Sequence, residues 1–257
     1  MRALLRLVET KVPKKEFCQI TTQLREAAED LAVPRDAFIK AKTLRVLAQR
    51  YKLRFAPEAF RQIRAALRNA AREALERFAR EDAAREIGRK LRKSGRELNR
   101  LEISSKGWKS ICPGLKVTYS EGRTAYQLAL EDPSPENFHA WRKRAKDLMY
   151  QIRLLRRVWP EQMDALINEL DALGESLGED HDLLVLHQAA TEGGVGEGII
   201  RELETLSGLI KQRQRELRDA ALALGARLYA EKPSAFSNRL ARYWHTWRGK
   251  KRQRQLV

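Results

Sequence analysis

Cysteine is close to absent from this chain: Cys18 and Cys112 are the two in 257 residues. They stand far apart and outside any CxxC spacing, which argues against a disulfide framework and points to reduced thiols in the cytoplasm. Glycine and proline are also sparse, at 14 and 8. With them go the frequent turns and alternating β-branched runs that a sheet protein needs. Long apolar runs are missing as well. IRLLRRVWP at 152–160 and DLLVLH at 182–187 are short and interrupted, so no membrane span is expected. The first residues, MRALLRLVETK, carry charge through their apolar positions and make a poor signal peptide. Finally, acids are in deficit: 34 Asp and Glu stand against 51 Lys and Arg, a formal +17. That imbalance concerns partners rather than fold. It selects nucleic acid, an anionic membrane surface, or a soluble polyanion such as polyphosphate.

What is present is helix-forming: Ala, Leu, Arg, Glu and Lys dominate. The periodicity predicts an all-α protein with helices near 3–10, 14–32, 35–52, 57–100 (broken near Gly88 or Gly95), 122–131, 136–158, 161–177, 181–191, 197–229 and 233–247. Breakers fall between them at Pro57, Pro113-Gly114, Asp132-Pro133-Ser134-Pro135, Trp159-Pro160 and Glu192-Gly193-Gly194. The glycine-rich stretch 193–198 lacks the Lys-Ser/Thr of a phosphate loop and reads as a connector.

The most informative segment is HAWRKRAKDLMYQIRLLRR, 139–157. At about 100° per residue, His139, Arg142, Lys143, Lys146, Tyr150, Arg153 and Arg157 share an arc of roughly 100°. Trp141, Ala145, Leu148, Ile152 and Leu155 fall on the opposite side, where a core would lie. A solvated face normally mixes Glu with Lys, because i,i+4 pairs relieve repulsion. This arc holds no carboxylate, and Asp147 lies just beside it. Arginine forks and lysine point charges both suit phosphate oxygens. The rise per residue sets Arg142 and Arg153 about 16 Å apart, a span of several phosphates.

The chain also repeats itself. LREAAEDLAVPRD at 24–36 aligns with LDALGESLGEDHD at 170–182, with Leu24/Leu170, Glu29/Glu175, Leu31/Leu177 and Asp36/Asp182 coinciding. RALLRLV at 2–8 resembles MYQIRLL at 149–155, which places Arg6 opposite Arg153. The repeat predicts two similar helical bundles, 1–117 and 118–257, packed about a pseudo-two-fold axis. Shifted by the same offset, the His139 motif would fall ahead of Met1, so a matching HxxRKxxK pattern is expected upstream. Asp36 and Asp182 are expected at helix starts, as caps or as carboxylates that steady basic side chains.

Five segments resemble the CHAD domain, an all-helical domain named for its conserved histidines. They are the HxxRKxxK-type helix His139-Ala-Trp-Arg142-Lys143-Arg-Ala-Lys146 and the LGxxxDxxxL segment Leu177–Leu186. GLKVTYSEGR at 114–123, PRD at 34–36 and EKPSAFSNRLARYW at 231–244 extend the likeness. The resemblance implies two helical bundles around a central basic channel, and binding of inorganic polyphosphate without catalysis. It also implies roles for Lys116, Tyr119 and Arg123, which would close one side of the channel, and for Arg2, Arg6 and Arg35 from the first half. Ordinary loop polarity is the other reading of Lys116, Tyr119 and Arg123.

Other features read as structural. Arg61, Arg64, Arg68 and Arg72 have Glu58, Glu73 and Glu76 close by, which favours a solvated face. Tyr243, Trp244 and Trp247 have helical spacing and read as core anchors among Arg239, Arg242 and Arg248. Lys250-Lys251-Arg252 adds non-specific attraction. Asp180-His181-Asp182 with His187 does not match a metal-ligand spacing, so neither metal nor cofactor is expected. The ExExK motif of the tunnel-type triphosphatases that accompany some CHAD domains is absent from the sequence. The leading expectation is therefore a non-enzymatic polyphosphate binder, cytoplasmic and associated with polyphosphate granules. The alternative is a helical nucleic-acid-binding protein.

Overall fold

The computed structural model describes residues 1–51, 57–80, 82–192 and 200–254. Among these residues there is no strand, and the helices are α1 (Arg2–Leu7), α2 (Lys14–Asp30), α3 (Ala32–Arg50), α4 (Pro57–Arg80), α5 (Ala83–Arg100), α6 (Trp108–Glu131), α7 (Pro135–Leu154), α8 (Pro160–Glu192), α9 (Ile200–Leu228) and α10 (Pro233–Arg254). The fold is all-α, as the composition required. The connector expected at 193–198 lies outside the described residues.

Several boundaries differ from the sequence expectation, each for a physical reason. The long basic helix breaks at Asp82, which has φ 51°, and not at Gly88 or Gly95. Aspartate tolerates the left-handed region, while the strong helix formers around the two glycines carry the helix through them. Helix α6 starts at Trp108, so Pro113-Gly114 lie inside it instead of ending a segment. Proline this early in a helix costs one backbone hydrogen bond. Gly114 is needed there because a Cβ would strike the backbone carbonyl of Leu7, where α1 ends. The helices expected at 161–177 and 181–191 are one, α8, which places Asp182 deep inside a helix and removes its capping role. Asp36 also lies within a helix, in the second turn of α3.

The repeat has a local counterpart in structure. Helix α1 is followed by a 3-10 turn at Glu9–Lys11, an extended Val12 and Pro13; α7 is followed by a 3-10 turn at Arg156–Val158, an extended Trp159 and Pro160. The offset of 147 is kept throughout. Between 24–36 and 170–182 it is not, because the first segment breaks between α2 and α3 while the second is continuous within α8.

The chain forms two compact units. The first takes Met1–Thr21, Glu97–Leu177 and Ala220–Val257; the second takes Thr22–Arg96 and Gly178–Asp219. They do not coincide with the expected halves 1–117 and 118–257, because each unit takes segments from both sides of residue 117. In the first unit, Leu115, Tyr119, Trp141, Leu148, Ile152, Leu170, Leu173 and Phe236 are at the heart of the core. In the second, Leu44 and Leu47 of α3 and Ile63 of α4 pack with Leu183, Leu186, Leu206 and Ile210.

One buried polar side chain ties three helices of the first unit. The Gln151 side-chain amide donates to the Ala3 carbonyl and to the Thr118 hydroxyl, both at 3.0 Å. Gln151→Leu should lower stability by about 1–3 kcal/mol, since it leaves a buried carbonyl without its donor. Gly114→Ala should cost about 1–3 kcal/mol, because backbone and not a flexible side chain must yield. Thermal unfolding followed by far-UV circular dichroism measures both; midpoints equal to wild type would contradict this account of the α1–α6–α7 junction.

Candidate polyanion-binding row

Helix α7 is set by its ends and by one face. Ser134 caps it by accepting from the Asn137 amide at 3.4 Å, and Pro135 occupies the first turn. Phe138, Trp141, Ala145, Leu148, Met149, Gln151 and Ile152 are all buried. Trp141 is fully enclosed, with Tyr126 at 5.2 Å, Phe138 at 6.3 Å and Tyr229 at 6.5 Å between ring centroids. Gly225 of α9 lets the indole in, because a Cβ there would stand 2.6 Å from both Trp141 and Tyr126. With that face locked, the rotation of α7 has no freedom.

The opposite arc therefore points outward. Lys143, Tyr150, Arg153 and Arg157 are exposed, and His139, Arg142 and Lys146 are half-buried. The Lys146 stem passes Gly174 of α8, its Cγ 3.9 Å from where a Cβ would be, so its apolar chain lies against that helix. The Arg153 guanidinium sits 5.5 Å from the Tyr150 ring centroid and pairs with Asp171 of α8 at 3.0 Å. That carboxylate was not foreseeable from the spacing within α7, because it comes from another helix. Both partners are about half exposed, so the pair is weak and open to exchange with a ligand anion.

A second flank of α7 is neutralised. Arg6 of α1 pairs with Glu121 of α6 and lies 3.5 Å from Asp147; Arg144 meets Glu121 at 3.2 Å and Asp147 at 3.3 Å. Burial raises the Asp147 carboxyl above the usual aspartate range, and the nearby Arg6, Arg144 and Arg2 cations oppose that shift. Arg6 thus sits between two carboxylates at this junction, whereas its repeat mate Arg153 meets Asp171 on the outer arc. Sequence reasoning missed Arg144, whose position between core and row is visible only once α1 and α6 are in place. Arg2 is exposed on α1.

The other candidates separate. Lys116 is exposed on α6. Tyr119, expected in a loop beside the ligand, is instead inside α6 and fully buried, its hydroxyl donating to the Leu228 carbonyl at 3.0 Å. It stacks on Phe236 at 4.0 Å between centroids. Its role is to anchor the end of α9 and the start of α10, so it leaves the ligand set. Arg123 does related work, donating from Nε to the Tyr229 carbonyl at 3.2 Å. Arg35 and Asp36 pair with each other at 2.8 Å in the second unit, where Asp182 also belongs. Tyr243 and Trp244 pack against the first core, and Trp244 lies 5.9 Å from Trp108 and 5.4 Å from Trp247. They are anchors, as their spacing predicted. Among the described residues, no group of three or more His, Cys, Asp or Glu is placed to hold a metal ion. No helix among them is long and apolar enough to cross a membrane.

The CHAD domain family model matches residues 1–191, about three quarters of the chain. The chain belongs to the CHAD domain family. The match takes in the His139 helix and the Leu177–Leu186 segment, while 231–244, which also carried the resemblance, lies beyond it. No curated protein and no solved structure matches. In this CHAD domain the row on α7 is held from behind by α1, α6, α8 and α9, and the tyrosines provide a readout of that support. Burial pushes the Tyr119 phenol up to about 12, and Tyr229 is raised further for the same reason. Each keeps its proton in the fold at a pH where the unfolded chain has lost it, so stability falls as pH rises from about 10 toward 12. In an alkaline titration read at the tyrosinate absorbance, two of the six tyrosines should ionise only with unfolding. Smooth ionisation of all six in the folded protein would contradict the packing described.

Proposed function

We propose that this CHAD domain binds inorganic polyphosphate along the outer arc of α7, without catalysing a reaction on it. His139, Arg142, Lys143, Lys146, Tyr150 and Arg153 form the row, with Lys116 and Arg2 as exposed cations on neighbouring helices of the same unit. The observation that carries the reading is the contrast between the two sides of α7. One flank spends its arginines on Glu121 and Asp147, while the other carries Lys143, Arg153 and Arg157 exposed to solvent, with His139, Arg142 and Lys146 half-buried beside them. Like charges held this close repel, and an extended polyanion relieves that repulsion.

The row suits a linear chain of phosphates. It runs about 16 Å from Arg142 to Arg153. Guanidinium groups can grip two oxygens at once, and lysine adds point charge between them. Tyr150, beneath Arg153, steadies that guanidinium and offers a hydroxyl to an acceptor oxygen. Family membership supports the ligand class, and the formal +17 supplies long-range attraction. In the cell the same ligand would bring the protein to cytoplasmic polyphosphate granules.

The triple change Arg142→Ala, Lys143→Ala and Lys146→Ala should abolish retention on immobilised long-chain polyphosphate. In wild type the logarithm of affinity should fall linearly with the logarithm of salt concentration, and removing three contacts should reduce that slope by about 2–3. Retention equal to wild type in a folded triple variant would overturn the proposal.

A further inference from the structure

A second row of cations, unrelated to the His139 motif, stands on α5. On that helix Ile87 and Ser94 are buried, and Ser94 donates to Gln23 of α2 at 3.0 Å. Lys90 reaches Asp30 of α2 at 2.6 Å. These contacts fix which side of α5 faces inward. Opposite them, Arg85, Arg89, Arg92, Lys93 and Arg96 fall within an arc of roughly 100°. All five are exposed. Glu86 stands at the edge of the arc, and no carboxylate lies within it.

The ion pairs of Arg85 and Arg89 in this row are exposed. Arg89 meets Glu86 at 2.6 Å and Arg85 meets Asp82 at 3.0 Å, both i,i+3 pairs on exposed side chains. Such exposed pairs are weak and exchange readily. Among the described residues Arg92 and Arg96 have no carboxylate partner. On α4, Arg72 and Arg80 share Glu76 in the same exposed fashion.

From this geometry we infer that the α5 row is a sequence-independent binding surface for the phosphate backbone of duplex nucleic acid. From Arg85 to Arg96 the row spans about 16 Å. A duplex carries about one negative charge per 1.7 Å of its axis, so a row of this length lies against a dense array of phosphates. The surface is a single convex helix face whose cations are all open to solvent. A flexible chain laid on it would have to be straightened, with much of its charge still facing water. A duplex is already stiff, with a persistence length of about 50 nm, and brings its phosphates in order. The row contains no Asn or Gln to read base edges, so it grips without selecting sequence. This inference does not rest on the polyphosphate reading of α7.

The test is fluorescence anisotropy of a short labelled random-sequence DNA duplex, with long-chain polyphosphate measured alongside. Arg92→Glu, Lys93→Glu and Arg96→Glu together should weaken duplex binding by more than about tenfold and lower its salt slope by about 3, leaving polyphosphate binding within about twofold. The milder pair Arg92→Gln and Arg96→Gln should lower the duplex slope by about 2 without charge reversal, which guards against a folding defect. Unchanged duplex binding in both variants overturns the inference. So does an equal loss of duplex and polyphosphate, which would make α5 a general anion surface. If the α7 triple variant alone keeps full polyphosphate binding, the reading of α7 fails and that of α5 stands.

Discussion

Everything in the candidate site depends on the burial of one side of α7. Trp141 is its centre: a fully enclosed indole among Tyr126, Phe138 and Tyr229, admitted because residue 225 has no side chain. An aromatic of this size contributes several kcal/mol when buried, and it has few alternative rotamers in a close-packed core. Gln151 adds direction to that packing, since its amide satisfies a backbone carbonyl on α1 and a hydroxyl on α6. A helix held this way cannot roll to hide its charges. The repulsion among Arg142, Lys143, Lys146 and Arg153 is therefore stored at the surface, where a polyanion can relieve it.

The same helix separates arginines that neutralise carboxylates at a helix junction from those of the outer arc. Arg6 and Arg144 share Glu121 and Asp147 at the α1–α6–α7 junction, where burial makes carboxylate charge costly enough to raise Asp147. Those four groups neutralise one another and serve the fold. Turned away from them, the outer arc meets Asp171 of α8 at its end, where that carboxylate holds Arg153. On α5 the division is repeated with different residues: Lys90 is spent on Asp30, while Arg92 and Arg96 face solvent.

Much of this was legible in the chain. The absence of turn residues and alternating strands implied an all-α fold, and the 3.6-residue period of 139–157 separated its buried face from its basic arc correctly, Trp141 and Ile152 included. What was hidden came from tertiary contact. Pro113-Gly114 reads as a breaker until α1 is seen resting on Gly114. The CHAD resemblance implies a channel role for Tyr119, yet its hydroxyl goes to the Leu228 carbonyl. Asp182 mimics a cap because the repeat pairs it with Asp36, but α8 runs through it without a break. The division into units was also invisible, since it is made by contacts between segments far apart in sequence. The α5 row was overlooked because Glu86, Lys90 and Glu97 interrupt it in sequence, though not on the helix surface.

The most direct measurement is the acylation rate of individual lysines, followed by mass spectrometry with and without long-chain polyphosphate. Lys143 and Lys146 lie in the α7 row, whereas Lys14, Lys15, Lys211 and Lys232 lie outside it. The account predicts strong protection of Lys143 and Lys146 on binding, with little change at the other four. Binding that leaves Lys143 and Lys146 reacting at their free rates would contradict it.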